Sequence, residues 1–265
     1  MKDYKLIEVD INETKKLAMI YFNRPKQLNA FNIEFLDELI SVFKEISESQ
    51  SIRCLILTGR GKAFCAGGDV VEFQKAAVPD ELMAKMASRL HKGIKILKNM
   101  NQLTVAAING ACFGAGLGYA TACDFRISSE NATFGCAFTR IGLSPDSSST
   151  FHLPKLVGQN IANEMFFLHR ILNTEEALQF NLVNKVVSSE IFMEEIKKFS
   201  LELSHGAPMA FAFTKKLLRE SYSNDLESHL DKEAEYIIKT AGTKDFQEGL
   251  KAFFEKRRPN FKDNQ

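Results

Sequence analysis

The run from Leu103 to Ile108, LTVAAI, carries no polar–apolar alternation and stops at Asn109-Gly110. A strand with one face in water alternates, so this run reads as a strand buried on both faces. Around it strand-like and helix-like patterns alternate. KLIEVDIN and KLAMIYFNRP read as strands, Asn32 to Ser47 as an amphipathic helix, and CLILTG as a further strand. The second strand ends at Asn23-Arg24-Pro25, where proline forbids continuation of the sheet. Leu82 to Met100 reads as a helix with a basic face, and FGAGLGYATACDFRISS as a small-residue helix entering a strand at DFRIS. This order predicts an α/β core with right-handed crossovers. From Ile161 the pattern turns helical, with amphipathic runs at 173–180, 188–203, 208–221, 226–240 and 245–256. The expected division is an α/β core over 1–195 and a helical region over 196–265.

Composition removes several function classes. Hydrophobic residues at 45% and charged residues at 25% are ordinary globular usage, which excludes disorder and fibrous repeats. A net charge of +1 supplies no field that recruits nucleic acid or an anionic membrane, so an anionic ligand needs a local patch. Apolar runs break too early to span a bilayer, and the charged opening MKDYKLIEVD lacks a signal-peptide core. A cytoplasmic protein is expected. The five cysteines form no C-x-x-C pair and read as reduced, buried thiols. His91, His152, His169, His205 and His229 show no metal-ligand spacing, so no metal is expected.

Two glycine-containing turns, AFCAGGD at 63–69 and GACFGAGLG at 110–118, each follow a strand pattern and lead into a helix pattern. Small residues there let backbone N–H groups approach a ligand atom, and a helix N-terminus adds partial positive charge. Two such turns together suit an oxyanion hole, although either alone is more simply a tight turn. Gly114, Gly116 and Gly118 are spaced G-x-G-x-G rather than G-x-G-x-x-G, which argues against a dinucleotide site, and no Walker lysine is present. In RIGLSPDSSST, Asp146 follows a proline and precedes hydroxyl residues, a pattern that alone reads as an Asx turn or helix cap.

Six segments in order change that balance: YFNRPKQLNAFN, LTGRGKAFCAGGDV, VAAINGACFGAGLGYATACDFRI, ATFGCAFTRIGLSPDSSST, LPKLVG and EGLKAFFEKRRPNF. Over nearly its whole length the chain resembles the crotonase, or enoyl-CoA hydratase/isomerase, superfamily. The resemblance implies a fold of repeated β-β-α units with a helical C-terminal region that forms trimers, often paired into hexamers. It implies that the amides of Gly68 and Ala115 hold a thioester carbonyl. It further implies that coenzyme A, as part of the substrate and with no separate cofactor, meets Asn29, Ala30, Ala66, Gly68, Asp69 and Val70. Arg24 and Lys26 lie near enough in sequence to contact phosphates, and Phe253 and Lys256 match C-terminal positions that reach CoA. Lys251, Lys256, Arg257 and Arg258 form a basic cluster that suits either phosphates or a solvated helix face.

Hydratases of the superfamily use two glutamates, and the matching positions here are Gly118 and Phe138. Neither side chain transfers a proton. Asp146 falls where double-bond isomerases of the superfamily keep an acid, so the resemblance points to an acyl-CoA isomerase with one base, and Phe138 and Leu143 as pocket walls. Alternatives are a lyase, a hydrolase or dehalogenase in which Asp146 is a nucleophile, and a non-catalytic acyl-CoA-binding protein. Ser148-Ser149 departs from relatives, which commonly carry a glycine there, and leaves the shape of that turn open.

Overall fold

The computed structural model describes residues 4–262, with strands β1 (Ile7–Asn12), β2 (Leu17–Phe22), β3 (Cys54–Gly59), β4 (Ala63–Cys65), β5 (Leu103–Ile108), β6 (Ala111–Phe113), β7 (Phe125–Ser129), β8 (Phe134–Gly135), β9 (Ile171–Leu172) and β10 (Lys185–Val187). Its helices are α1 (Ile33–Glu48), α2 (Val70–Lys75), α3 (Pro79–Asn99), α4 (Ala115–Ala122), α5 (Ser149–Phe167), α6 (Thr174–Gln179), α7 (Phe192–Ser204), α8 (Pro208–Glu220), α9 (Leu226–Ala241) and α10 (Lys244–Glu255). The larger sheet has the order β1-β2-β3-β5-β7-β10, antiparallel only between β1 and β2. A second sheet, β4-β6-β8-β9, stands beside it.

β5 occupies the middle of the larger sheet and is covered on both faces, as its unbroken apolar run requires. Val105 and Ala107 join Cys54, Ile56, Phe192 and Ile196 in one cluster under α7, while Ala106 and Ile108 face the main core with α1, α3 and α4. The expected boundary after residue 195 falls inside α7, whose apolar face is part of this sheet's cover.

Local sequence explains the helix that closes the main core. Asn32 caps α1 by accepting a hydrogen bond from the Phe35 amide at 2.9 Å. Behind the cap, Phe35, Leu36, Leu39, Val42, Phe43 and Ile46 form one buried stripe at helical spacing. α3 begins at Pro79 rather than Leu82, because a proline at the first helical position costs no hydrogen bond.

Asn29 ties the turn after β2 to the two sheets. Its side chain is fully buried at φ 57°, accepts from the Arg24 amide at 2.9 Å, and donates to the carbonyls of Arg60 at 3.0 Å and Ala63 at 2.7 Å. Removing it unties the Arg24 amide and the Arg60 carbonyl, and leaves the buried Ala63 carbonyl with only the longer bond from Asn109 Nδ2 at 3.3 Å. Asn29→Ala is therefore expected to lower the free energy of unfolding by about 2–4 kcal/mol. Urea unfolding with an unchanged denaturant slope checks this, and a loss below about 1 kcal/mol contradicts it.

Candidate active site

The two glycine turns meet because their strands are neighbours. β4 and β6 run parallel with Ala63 opposite Ala111 and Cys65 opposite Cys112, so the chain leaves both strands at the same end of the sheet. Gly67 (φ 104°) and Gly114 (φ 51°) take backbone conformations that side chains resist. A Cβ placed on Gly67 would stand 3.6 Å from the Ala115 amide nitrogen, so the turns are in contact. The first turn is held by Phe31, whose N–H donates to Gly67 O at 2.8 Å and whose carbonyl accepts from Asp69 N at 2.9 Å. The second opens α4, and there a Cβ on Gly116 would lie 2.4 Å from the Cys65 carbonyl. Only glycine lets α4 start so close to β4. Neither the Gly68 nor the Ala115 N–H has an acceptor among the described residues.

Both turns border a cavity of about 300 Å³. Met83, Met86, Ala87 and Leu90 of α3 form one wall, and Phe138, Ile141 and Leu143 another. Asp146 is the one ionisable side chain that lines it among the described residues. A base facing aliphatic walls and two unfilled amides can move a proton to or from carbon while the amides hold negative charge on oxygen.

The loop that carries Asp146 is built from left-handed backbone. Ser147 and Ser148 have φ of 56° and 58°, conformations that glycine adopts at less cost. The turn is held by Asp146 O, which accepts from Ser149 N at 3.1 Å and Ser149 Oγ at 2.7 Å. Ser148 Oγ meets His152 Nδ1 at 3.0 Å. Burial, and then the nearby Lys98, Lys155 and Arg126 charges, push the His152 imidazole down to about 4, so that it is neutral near pH 7. Ser149 Oγ thus helps to close the turn, Ser148 Oγ bonds into the first turns of α5, and the buried Ser147 Oγ has no partner among the described residues.

Ser147 also decides what position 118 holds. A Cβ on Gly118 would lie 2.3 Å from Ser147 O and 2.7 Å from Ser147 Cβ. A side chain at this position cannot be accommodated without moving the Asp146 loop.

Of the residues expected to hold substrate, Ala66, Gly68, Val70, Ala115 and Asp146 come together at the cavity, as do Phe138 and Leu143 as walls. Asn29, Ala30, Asp69 and Arg24 form its supporting frame. Arg24 donates to Ala30 O and to Asp69 Oδ2, the latter at 2.9 Å, with its side chain only 13% exposed. Asp69 Oδ1 caps α2 by accepting from Val71 N at 3.1 Å and Glu72 N at 3.4 Å. Arg24 thus acts as an internal clamp, with one terminal nitrogen on Ala30 O and the other on Asp69 Oδ2. Lys26 is exposed on the 3-10 turn Pro25–Gln27, next to Leu28, whose carbonyl accepts from Ala66 N at 3.0 Å. Phe253 and Lys256 lie on and just after α10, away from the cavity lining, with Phe253 exposed. The basic cluster beside them is largely paired: Arg257 binds Glu248 and Glu255 at 2.6 Å, and Arg258 binds Glu202 at 2.8 Å.

One residue of the site was not singled out by sequence. His91 Nε2 is hydrogen-bonded to Asp146 Oδ1. Its signal was position, four residues after Ala87 on the stripe of α3 that lines the cavity.

The family model for Enoyl-CoA hydratase/isomerase matches residues 12–264. Crotonyl-CoA hydratase of Syntrophomonas wolfei is 32% identical over 95% of this chain and 96% of its own length. Trans-2-decenoyl-[acyl-carrier-protein] isomerase of Streptococcus mutans is 31% identical over 98% of both chains. A crystal structure of an enoyl-CoA hydratase from Bacillus anthracis superposes with a TM-score of 0.93 at 32% identity, covering 98% of this chain and all of that one. The chain belongs to the enoyl-CoA hydratase/isomerase family and has the crotonase fold.

The crowding at Gly118 yields a stability test. Gly118→Ala is expected to destabilise by about 1–3 kcal/mol or more, because the obstructing atom is backbone. Gly242→Ala, where a Cβ meets nothing nearer than 3.5 Å, is expected to change stability by no more than about 0.5 kcal/mol. Equal melting temperatures for the two variants contradict the packing described.

Proposed function

We propose that this chain is an acyl-CoA double-bond isomerase with Asp146 as its single base. In this reading the carboxylate removes a proton from C2 of a 3-enoyl thioester. The electron pair of that C–H bond moves toward the carbonyl, and the resulting dienolate oxygen lies between the Gly68 and Ala115 amides. Asp146 then returns the proton to C4, leaving the double bond between C2 and C3. The observation that carries the reading is the solitary ionisable group in a cavity bordered by two unsatisfied amides. Adding water needs a second group to share the work of activating the water and protonating carbon, and Gly118 and Phe138 offer none. Relatives bear hydratase and isomerase names alike, so the branch is argued from the site alone.

The same reading assigns the thioester arm of CoA to the cavity mouth at Ala66 and Val70, with exposed Lys26 toward its phosphates. No cofactor besides the CoA of the substrate is required. Phe253 and Lys256 would reach substrate after assembly into a homotrimer or a dimer of trimers. Exposed apolar side chains on α8 to α10, among them Leu218, Ile237, Ile238 and Phe254, support assembly, since association removes such surface from water. Among the described residues no helix is long and apolar enough to cross a membrane.

The contact between His91 and Asp146 favours one second reading, a hydrolytic displacement in which Asp146 attacks a carbon of the acyl group that bears a halide, the halide leaves with the bonding pair, and His91 activates water on the aspartyl ester formed. It is recognised by a covalent intermediate and by oxygen from labelled water in the product.

Asp146→Asn keeps the shape of the side chain and removes the base. It is expected to cut turnover of a 3-enoyl-CoA by roughly 100- to 10,000-fold while acyl-CoA binding, followed by calorimetry, is retained. A variant that turns over at the wild-type rate rules out Asp146 as the base.

A further inference from the structure

We propose that His91 is a positioning residue for Asp146: it holds one carboxylate oxygen so that the other faces the reacting carbons. The proposal rests on the isomerase reading above. α3 presents Met83, Met86, Ala87 and Leu90 to the cavity, and His91 stands at the edge of that stripe. From there its ring reaches Asp146 from the solvent side. The His91 side chain is 51% exposed and that of Asp146 25%. The other side of His91 borders an open polar depression with Lys44 of α1 and Lys92 and Lys95 of its own helix. Those three cations and Asp146 are the charged groups around the imidazole in these surroundings.

A carboxylate only accepts hydrogen bonds, so the Nε2 facing it carries the proton. That bond occupies Oδ1, and among the described residues Oδ2 accepts none. Oδ2 is therefore the oxygen left to take a proton from substrate. Anchorage matters here because Asp146 sits on a loop, just before the two left-handed serines, rather than on a helix or strand. A base misplaced by about 1 Å loses on the order of 100-fold in rate.

His91→Phe removes the donor and His91→Gln keeps one, since glutamine retains an N–H. The experiment measures kcat and KM for isomerisation of a 3-enoyl-CoA. His91→Phe is expected to lower kcat by roughly 10- to 100-fold with KM little changed. His91→Gln is expected to recover most of that loss. Wild-type kcat in His91→Phe overturns the proposal, as does a His91→Gln variant no faster than His91→Phe. Absence of isomerisation in the wild-type protein instead defeats the isomerase reading itself.

Discussion

Two glycine turns held against one another by neighbouring parallel strands are the contact on which this site depends. β4 and β6 are each only three residues long, yet their pairing brings the chain out of both strands at the same end. Gly116 lies so close to Cys65 that no side chain fits there, and Gly67 touches the start of α4 in a left-handed conformation that favours glycine. Two amides that find no partner among the described residues are thereby presented to one cavity. Unpaired donors are costly where water is excluded, and a site that holds developing negative charge returns that cost in the transition state.

The acid side of the cavity follows from a second close contact. The left-handed pair Ser147-Ser148 turns the chain into α5 just after Asp146, and Ser147 packs directly onto Gly118. The geometry that presents Asp146 is thus the geometry that leaves position 118 without a side chain. With Phe138 serving as an apolar wall, one carboxylate remains at the cavity. A side chain at position 118 therefore requires a different loop.

Much of this was legible in the sequence because its causes are local. The unbroken apolar run of β5, the Asn32 cap of α1 and the glycine turns are properties of a few consecutive residues. The second sheet was not visible, since strands of two or three residues carry no periodicity. Contacts between distant segments were also hidden. Arg24 meets Asp69 45 positions later, and His91 meets Asp146 55 positions later. The cluster at 251–258, which by sequence suits either phosphates or a solvated helix face, is largely set beside acids by the fold.

The central claim is that this cavity moves a proton between carbons and adds no water. Incubation of the wild-type protein with a 3-enoyl-CoA in heavy water, with the products separated and read by mass spectrometry, tests it most directly. The account predicts a conjugated 2-enoyl product of unchanged composition apart from exchanged hydrogen, and a 3-hydroxyacyl product would contradict it.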